Sequence, residues 1–114
     1  MGKYILMVQS NAVEGQDKAF NDWYDNVHLG EVLAVPGFTA AQRFRINGEP
    51  VAGEAQHRYL AVYELDTDNP QASLDALGAA VRSGEITMTD TINSEDVAAI
   101  LFEPIGERVV GGAG

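Results

Sequence analysis

The chain carries two histidines, His28 and His57, and histidine is the side chain whose ordinary titration falls nearest neutral pH. His28 closes the run Trp23-Tyr24-Asp25-Asn26-Val27-His28, and Glu31 follows three residues later. On a helix, residues three and four apart are neighbours, so Tyr24, His28 and Glu31 can share one face. That set suits acid–base chemistry. The imidazole moves a proton, Glu31 orients it or raises its pKa, and Tyr24 donates to a developing enolate or phenolate oxygen. Phe20 and Trp23 would wall such a pocket. The same spacing also has a structural use: a histidine near a helix C-terminus is favoured by the helix dipole, and Phe20 and Trp23 are core residues first.

A second set lies at His57, Tyr59 and Tyr63. Strand alternation puts all three on one face, where they can line a pocket and bind a substrate. Alternatively, His57 starts the strand in solvent and the tyrosines pack with satisfied hydroxyls. Arg43 and Arg45 flank Phe44. They can hold a carboxylate or phosphate, or they sit on an edge strand and balance nearby acids. Arg43 is the stronger substrate-binding candidate. Thr87, Thr89, Thr91 and Ser94 form either a lid or a solvated loop.

Other chemistries find little here. Cysteine is absent, which removes disulfides, thiolate nucleophiles and thiolate metal sites. With two histidines and no HExxH, no metal site is expected. No glycine-rich phosphate loop occurs either, so no cofactor is expected. Seventeen acidic and seven basic residues give a net charge of −10. That charge disfavours duplex nucleic acid and anionic membranes as partners. The longest early apolar run, Tyr4 to Val8, is too short for a leader or a membrane span, and the chain reads as cytoplasmic.

The elements that must position these residues are legible. Residues 3–10 read as a strand, 16–34 as a helix stopped by Pro36-Gly37, and 38–46 as a second strand. Residues 57–66 alternate as a third strand. Asn69 caps a second helix with Pro70 at its first position, and Gly84 ends it. Residues 85–96 are polar and irregular, and 97–105 form a fourth strand. The 114 residues suffice for a single domain over 1–110, with 111–114 as a flexible tail. The β-α-β-β-α-β order is the ferredoxin-like α+β pattern, a four-stranded antiparallel sheet with both helices on one face. Tyr4, Leu6 and Val8 oppose Ile5 and Met7. Tyr59, Ala61, Tyr63 and Leu65 oppose Leu60 and Val62. Val97, Ala99 and Leu101 oppose Ala98, Ile100 and Phe102. Both faces are therefore apolar, and two helices cover only one. A second copy packed sheet to sheet would cover the other, so a homodimer is expected.

The stretch WYDNVHLGEVLAVPGFTAAQRFR, with RYLAVYELD and FEPIGERV, resembles the EthD-like branch of the dimeric α/β-barrel superfamily, over roughly residues 3–109. One departure is that Leu29-Gly30 follows His28, where members of that branch often have proline. The resemblance implies a dimeric α/β barrel with a pocket between the sheet and the helices of each subunit. The wider superfamily holds muconolactone isomerase, polyketide cyclases such as olivetolic acid cyclase, cofactor-independent monooxygenases and haem-degrading enzymes, and the fold does not choose among them. The expected function is a cofactor-independent enzyme of isomerase, lyase or cyclase type. It would act through His28 on a mostly apolar aromatic or polyketide-like molecule. The alternatives are a non-catalytic ligand-binding or accessory protein, a cofactor-free monooxygenase, and a haem protein with His28 or His57 as axial ligand.

Overall fold

The structure is a computed structural model, and it describes residues 2–112. Strand β1 (Gly2–Ser10) leads to helix α1 (Asp17–Trp23), a π-helical turn (Tyr24–His28) and helix α2 (Leu29–Leu33). Strands β2 (Phe38–Arg45) and β3 (Tyr59–Thr67), helix α3 (Pro70–Ser83) and strand β4 (Ala98–Phe102) follow. The sheet order is β2-β3-β1-β4, and all neighbours are antiparallel. This is the ferredoxin-like arrangement that the element order predicts.

Local chemistry sets the boundaries. The Asn69 side chain accepts from the Ala72 amide at 3.1 Å, Pro70 opens α3, and Gly84 closes it in the left-handed region at φ 85°. Gly37 has φ 98°, and a Cβ there would collide with the Ser73 hydroxyl, so only glycine lets β2 begin this close to α3. Strand β4 ends at Phe102, short of the expected residue 105, and Pro104 beyond it has no amide to extend a ladder. Strand β3 begins at Tyr59, two residues later than expected.

The register gathers one face of every strand under the helices. Leu6 pairs with Tyr63, Tyr4 with Leu65, and Arg43 with Ala61. An irregularity between Phe38 and Ala40 shifts the alternation of β2 by one residue. Without it Phe38 and Arg43 would point to opposite faces; with it both face the helices. Leu6, Phe20, Trp23, Tyr24, Tyr63, Leu65 and Ile86 belong to one buried cluster. On the far face Phe44, Ile100 and Phe102 are exposed, Ile100 at 52% and Phe102 at 45%.

The first helix departs from the regular helix predicted over 16–34. The Leu29 amide donates to the Tyr24 carbonyl, five residues back rather than four. One wider turn is thus inserted between α1 and α2. Part of the expected tail, residues 113 and 114, lies outside the described residues. Among the described residues no helix is long and apolar enough to cross a membrane.

Candidate functional site

The π turn brings Trp23 and His28 together. Their rings stack with centroids 4.4 Å apart and planes 25° off parallel, while Tyr24 meets His28 edge-on at 5.0 Å. Phe20 touches both Trp23 and Tyr24, and on its other side it packs on Tyr59 at 5.1 Å. This aromatic cluster fills the space between sheet and helices in which the resemblance implies a pocket. Burial lowers the His28 pKa to about 4, against a smaller opposing pull from Glu31, so the imidazole is neutral at neutral pH. Its Nδ1 is buried and has no hydrogen-bond partner.

Arg43 rises from β2 into the same cluster. Its guanidinium lies 4.4 Å from the Tyr24 ring centroid. It donates to Asp25 Oδ1 at 2.9 Å and to Asn21 Oδ1 at 2.8 Å, with only 12% of the side chain exposed. Arg43 is thus engaged on an edge strand with an acid from the π turn. Its Nε has no partner. Arg43, Arg45, Asn21 and Asp25 line a 590 Å3 cleft between the helix and the sheet edge.

Tyr24 and Tyr63 place their hydroxyls side by side in the core, with Ser10 next to Tyr24. Burial pushes both phenols above the ordinary tyrosine value, Tyr63 further than Tyr24; Arg43 pulls both back. Both therefore stay protonated as hydrogen-bond donors. The Tyr63 hydroxyl lacks a partner of good geometry. Among the described residues four buried side-chain polar atoms are unpartnered: His28 Nδ1, Arg43 Nε, Tyr63 Oη and Asp66 Oδ1. The first three surround Tyr24. Unpartnered buried polar atoms are rare in folded proteins and costly.

Glu31 does not reach His28 by a hydrogen bond. Its carboxylate accepts from the Thr87 amide at 2.9 Å and from the Thr87 hydroxyl at 3.4 Å. The Trp23 indole donates to the Thr87 carbonyl at 2.9 Å. Two residues flanking His28 in the sequence thus hold one residue of the 85–96 segment. Glu31 also lines a 930 Å3 groove between α2 and α3, together with Val27, Gly30, Ala76 and Ile86.

His57 lies apart from this cluster. Its Nε2 is 2.8 Å from Asp96 Oδ1. Tyr59 donates its hydroxyl to Asp17 Oδ2 at 2.6 Å and packs with Phe20, so it shares the His28 cluster rather than a pocket with His57. Among the described residues no group of three metal-ligating side chains converges.

Solved structures superpose on this fold over most of its length. An EthD (ethyl tert-butyl ether D) family protein of Bacillus halodurans superposes with TM-score 0.62 at 18% identity, over 92% of this chain and 100% of that one. A DABB family protein with a ferredoxin-like fold, from Mesorhizobium loti, gives 0.57 at 14% identity, over 93% and 100%. The haem-degrading protein MhuD of Mycobacterium tuberculosis, with two haems in its active site, gives 0.62 at 19% identity, over 93% and 99%. The chain has the fold of the EthD and DABB proteins. No protein-family model matches the sequence, and no curated protein matches it.

The sequence put Phe20, Trp23, Tyr24, His28 and Glu31 in one set and His57, Tyr59 and Tyr63 in another; the structure moves Tyr59 and Tyr63 into the first set, together with Arg43, and leaves His57 outside it. The sequence did not foresee Thr87 as the partner of Glu31 and Trp23, nor Asp96 as the partner of His57. Both come from the irregular 85–96 segment, where no periodicity predicts contacts. The available signal was the threonine cluster, which left a lid open as one reading.

Proposed function

We propose that the protein is an enzyme of small-molecule metabolism that works by acid–base chemistry at His28, without metal or nucleotide. The observation that carries this reading is the set of unpartnered polar atoms around Tyr24, with a neutral imidazole among them. A neutral His28 can accept a proton from an acidic C–H or O–H. The C–H bond breaks, an N–H bond forms, and the electron pair moves onto a carbonyl oxygen as an enolate. The Tyr24 or Tyr63 hydroxyl, held protonated by burial, donates to that oxygen. Phe20, Trp23 and Tyr59 supply aromatic surface for a mostly apolar, aromatic or polyketide-like substrate. Isomerisation, elimination and aldol cyclisation all begin with this step. Access comes from the groove between α2 and α3 when Thr87 lets go of Glu31 and Trp23.

The surroundings of His28 do not fit a haem: its ring is stacked on Trp23 and met edge-on by Tyr24. We infer in addition that the working form is a twofold homodimer, supported by the exposed Phe44, Ile100 and Phe102 on the sheet face the helices leave bare.

The test is deuterium wash-in at the acidic C–H of a panel of phenolic and β-keto compounds, followed by NMR in heavy water. The wild type is expected to exchange at least one compound. His28→Gln should lose about 10²- to 10⁴-fold in that rate while still binding it, and Tyr24→Phe should lose less. Equal exchange by wild type and His28→Gln would sink the reading. Binding without exchange by either protein would favour a ligand-binding role.

A further inference from the structure

We propose that His57 and Asp96 form a second proton-accepting site, in which His57 Nδ1 takes the proton of a small phenol or enol seated under the β2–β3 connection. The three ends of β1, β3 and β4 meet there. His57 Nε2 and Asp96 Oδ1 are 2.8 Å apart, although 39 residues separate them. Asp96 Oδ2 accepts from Asn11 Nδ2 at 3.2 Å. Asn11 is fixed in turn: its Oδ1 accepts from the Arg58 amide at 2.8 Å and its Nδ2 donates to the Gln56 carbonyl at 3.0 Å. The carboxylate is therefore held by a residue that is itself held.

This arrangement decides which nitrogen does chemistry. A carboxylate at Nε2 calls for a hydrogen there, which leaves the lone pair on Nδ1. The His57 side chain is 9% exposed, so its ring is locked by packing as well as by Asp96. Two pockets have His57 in their walls. One, of 430 Å3, is lined by Asn11, Ile46, Ala55, Gln56 and Arg58; the other, of 300 Å3, adds Gln9 and Glu54. Ile46 and Ala55 offer apolar contact. Among the described residues the Arg58 guanidinium has no carboxylate partner; it lies 5.9 Å from the Tyr59 ring centroid. It supplies the positive charge that a phenolate or enolate needs.

The step is a plain proton transfer. The ligand O–H bond breaks, an Nδ1–H bond forms, Asp96 balances the imidazolium, and Arg58, a lining residue of the larger pocket, carries charge opposite to the anion. Glu54 is an acidic residue in the wall of the smaller pocket. The site is independent of His28. Among the described residues the two histidines share no hydrogen bond, ring contact or pocket wall.

Two measurements test this on the full chain, which has only two histidines to resolve. Long-range proton–nitrogen NMR should find His57 as the Nε2–H tautomer. Asp96→Ala should abolish that preference. An Nδ1–H tautomer in the wild type overturns the proposal. Titration with 4-nitrophenol should shift the His57 nitrogens and raise the phenolate absorbance. His57→Gln keeps an amide donor for Asp96, and so keeps the anchor, but has no basic nitrogen. It should weaken 4-nitrophenol binding about tenfold with an unchanged melting temperature. Unchanged binding by His57→Gln, or a 4-nitrophenol response at His28 in place of His57, overturns the proposal. Should Asp96→Ala fail to fold, the wild-type tautomer and His57→Gln still decide.

Discussion

Trp23 and His28 stack at 4.4 Å although five residues separate them, because the helix between them is wound one residue wider than an α-turn. The stack and the burial it brings hold His28 neutral, with a pKa lowered to about 4. In the unfolded chain the group returns to about 6.5. The unfolded state therefore binds the proton first as pH falls, and stability is lost from about pH 6.5 down to about pH 4. That shift corresponds to about 3 kcal/mol. Denaturant melts of wild type and His28→Gln across this range should converge by that amount as the solution is acidified. A constant gap would mean that the folded protein does not hold His28 neutral.

Arg43 should be intolerant of change. Its truncation to alanine strands Asp25 and Asn21, removes a cation over the Tyr24 ring, and opens a cavity in the aromatic cluster. Together these predict a loss of about 2–4 kcal/mol in urea unfolding. Lysine should not rescue it, because one ammonium cannot reach both oxygens while stacked on a ring. A lysine variant as stable as wild type would show that charge alone matters there.

The strands, the capped helix α3 and the aromatic face of α1 were legible because each rests on a local rule. Strand alternation, Asn69-Pro70 and the Gly84 stop act over a few residues. The π turn was not legible, since nothing local marks one inserted residue: α-helical spacing puts Phe20, Tyr24 and Val27 on one stripe, whereas the structure leaves Val27 exposed and buries Val32 and Val35. The bulge at the start of β2 was hidden for the same reason, and it is what turns Arg43 toward Tyr24. Glu31 misled: its spacing from His28 favours a pair, but the Thr87 amide, 56 residues away, offers a donor that only the tertiary fold supplies.

The Glu31–Thr87 contact should act as the gate to the His28 cluster. In Glu31→Ala the Thr87 amide loses its acceptor, and hydrogen exchange at Thr87 should quicken about tenfold or more. Glu31→Gln keeps an acceptor oxygen and should stay near wild type. Exchange at Leu65, deep in the sheet, should change in neither. If Thr87 exchange is the same in all three proteins, the Trp23 bond alone holds the segment and Glu31 has no part in access.

The bare sheet face gives the last prediction. Ile100 and Phe102 alternate with Leu101, which turns toward the core, so a charge at either outer position touches no helix contact. Phe44 on the other edge strand completes an apolar strip across the sheet. If two copies bury this face, the Phe102→Glu and Ile100→Asp double variant places four carboxylates in the interface, and its own core is untouched. Sedimentation velocity should give a dimer for wild type and a monomer for the variant, with far-ultraviolet circular dichroism unchanged. The net charge of −10 per chain adds repulsion that salt screens, so wild-type dimer affinity should rise between low and physiological ionic strength. A wild-type monomer at micromolar concentration in physiological salt would leave the face to some other partner and remove the homodimer from the working form.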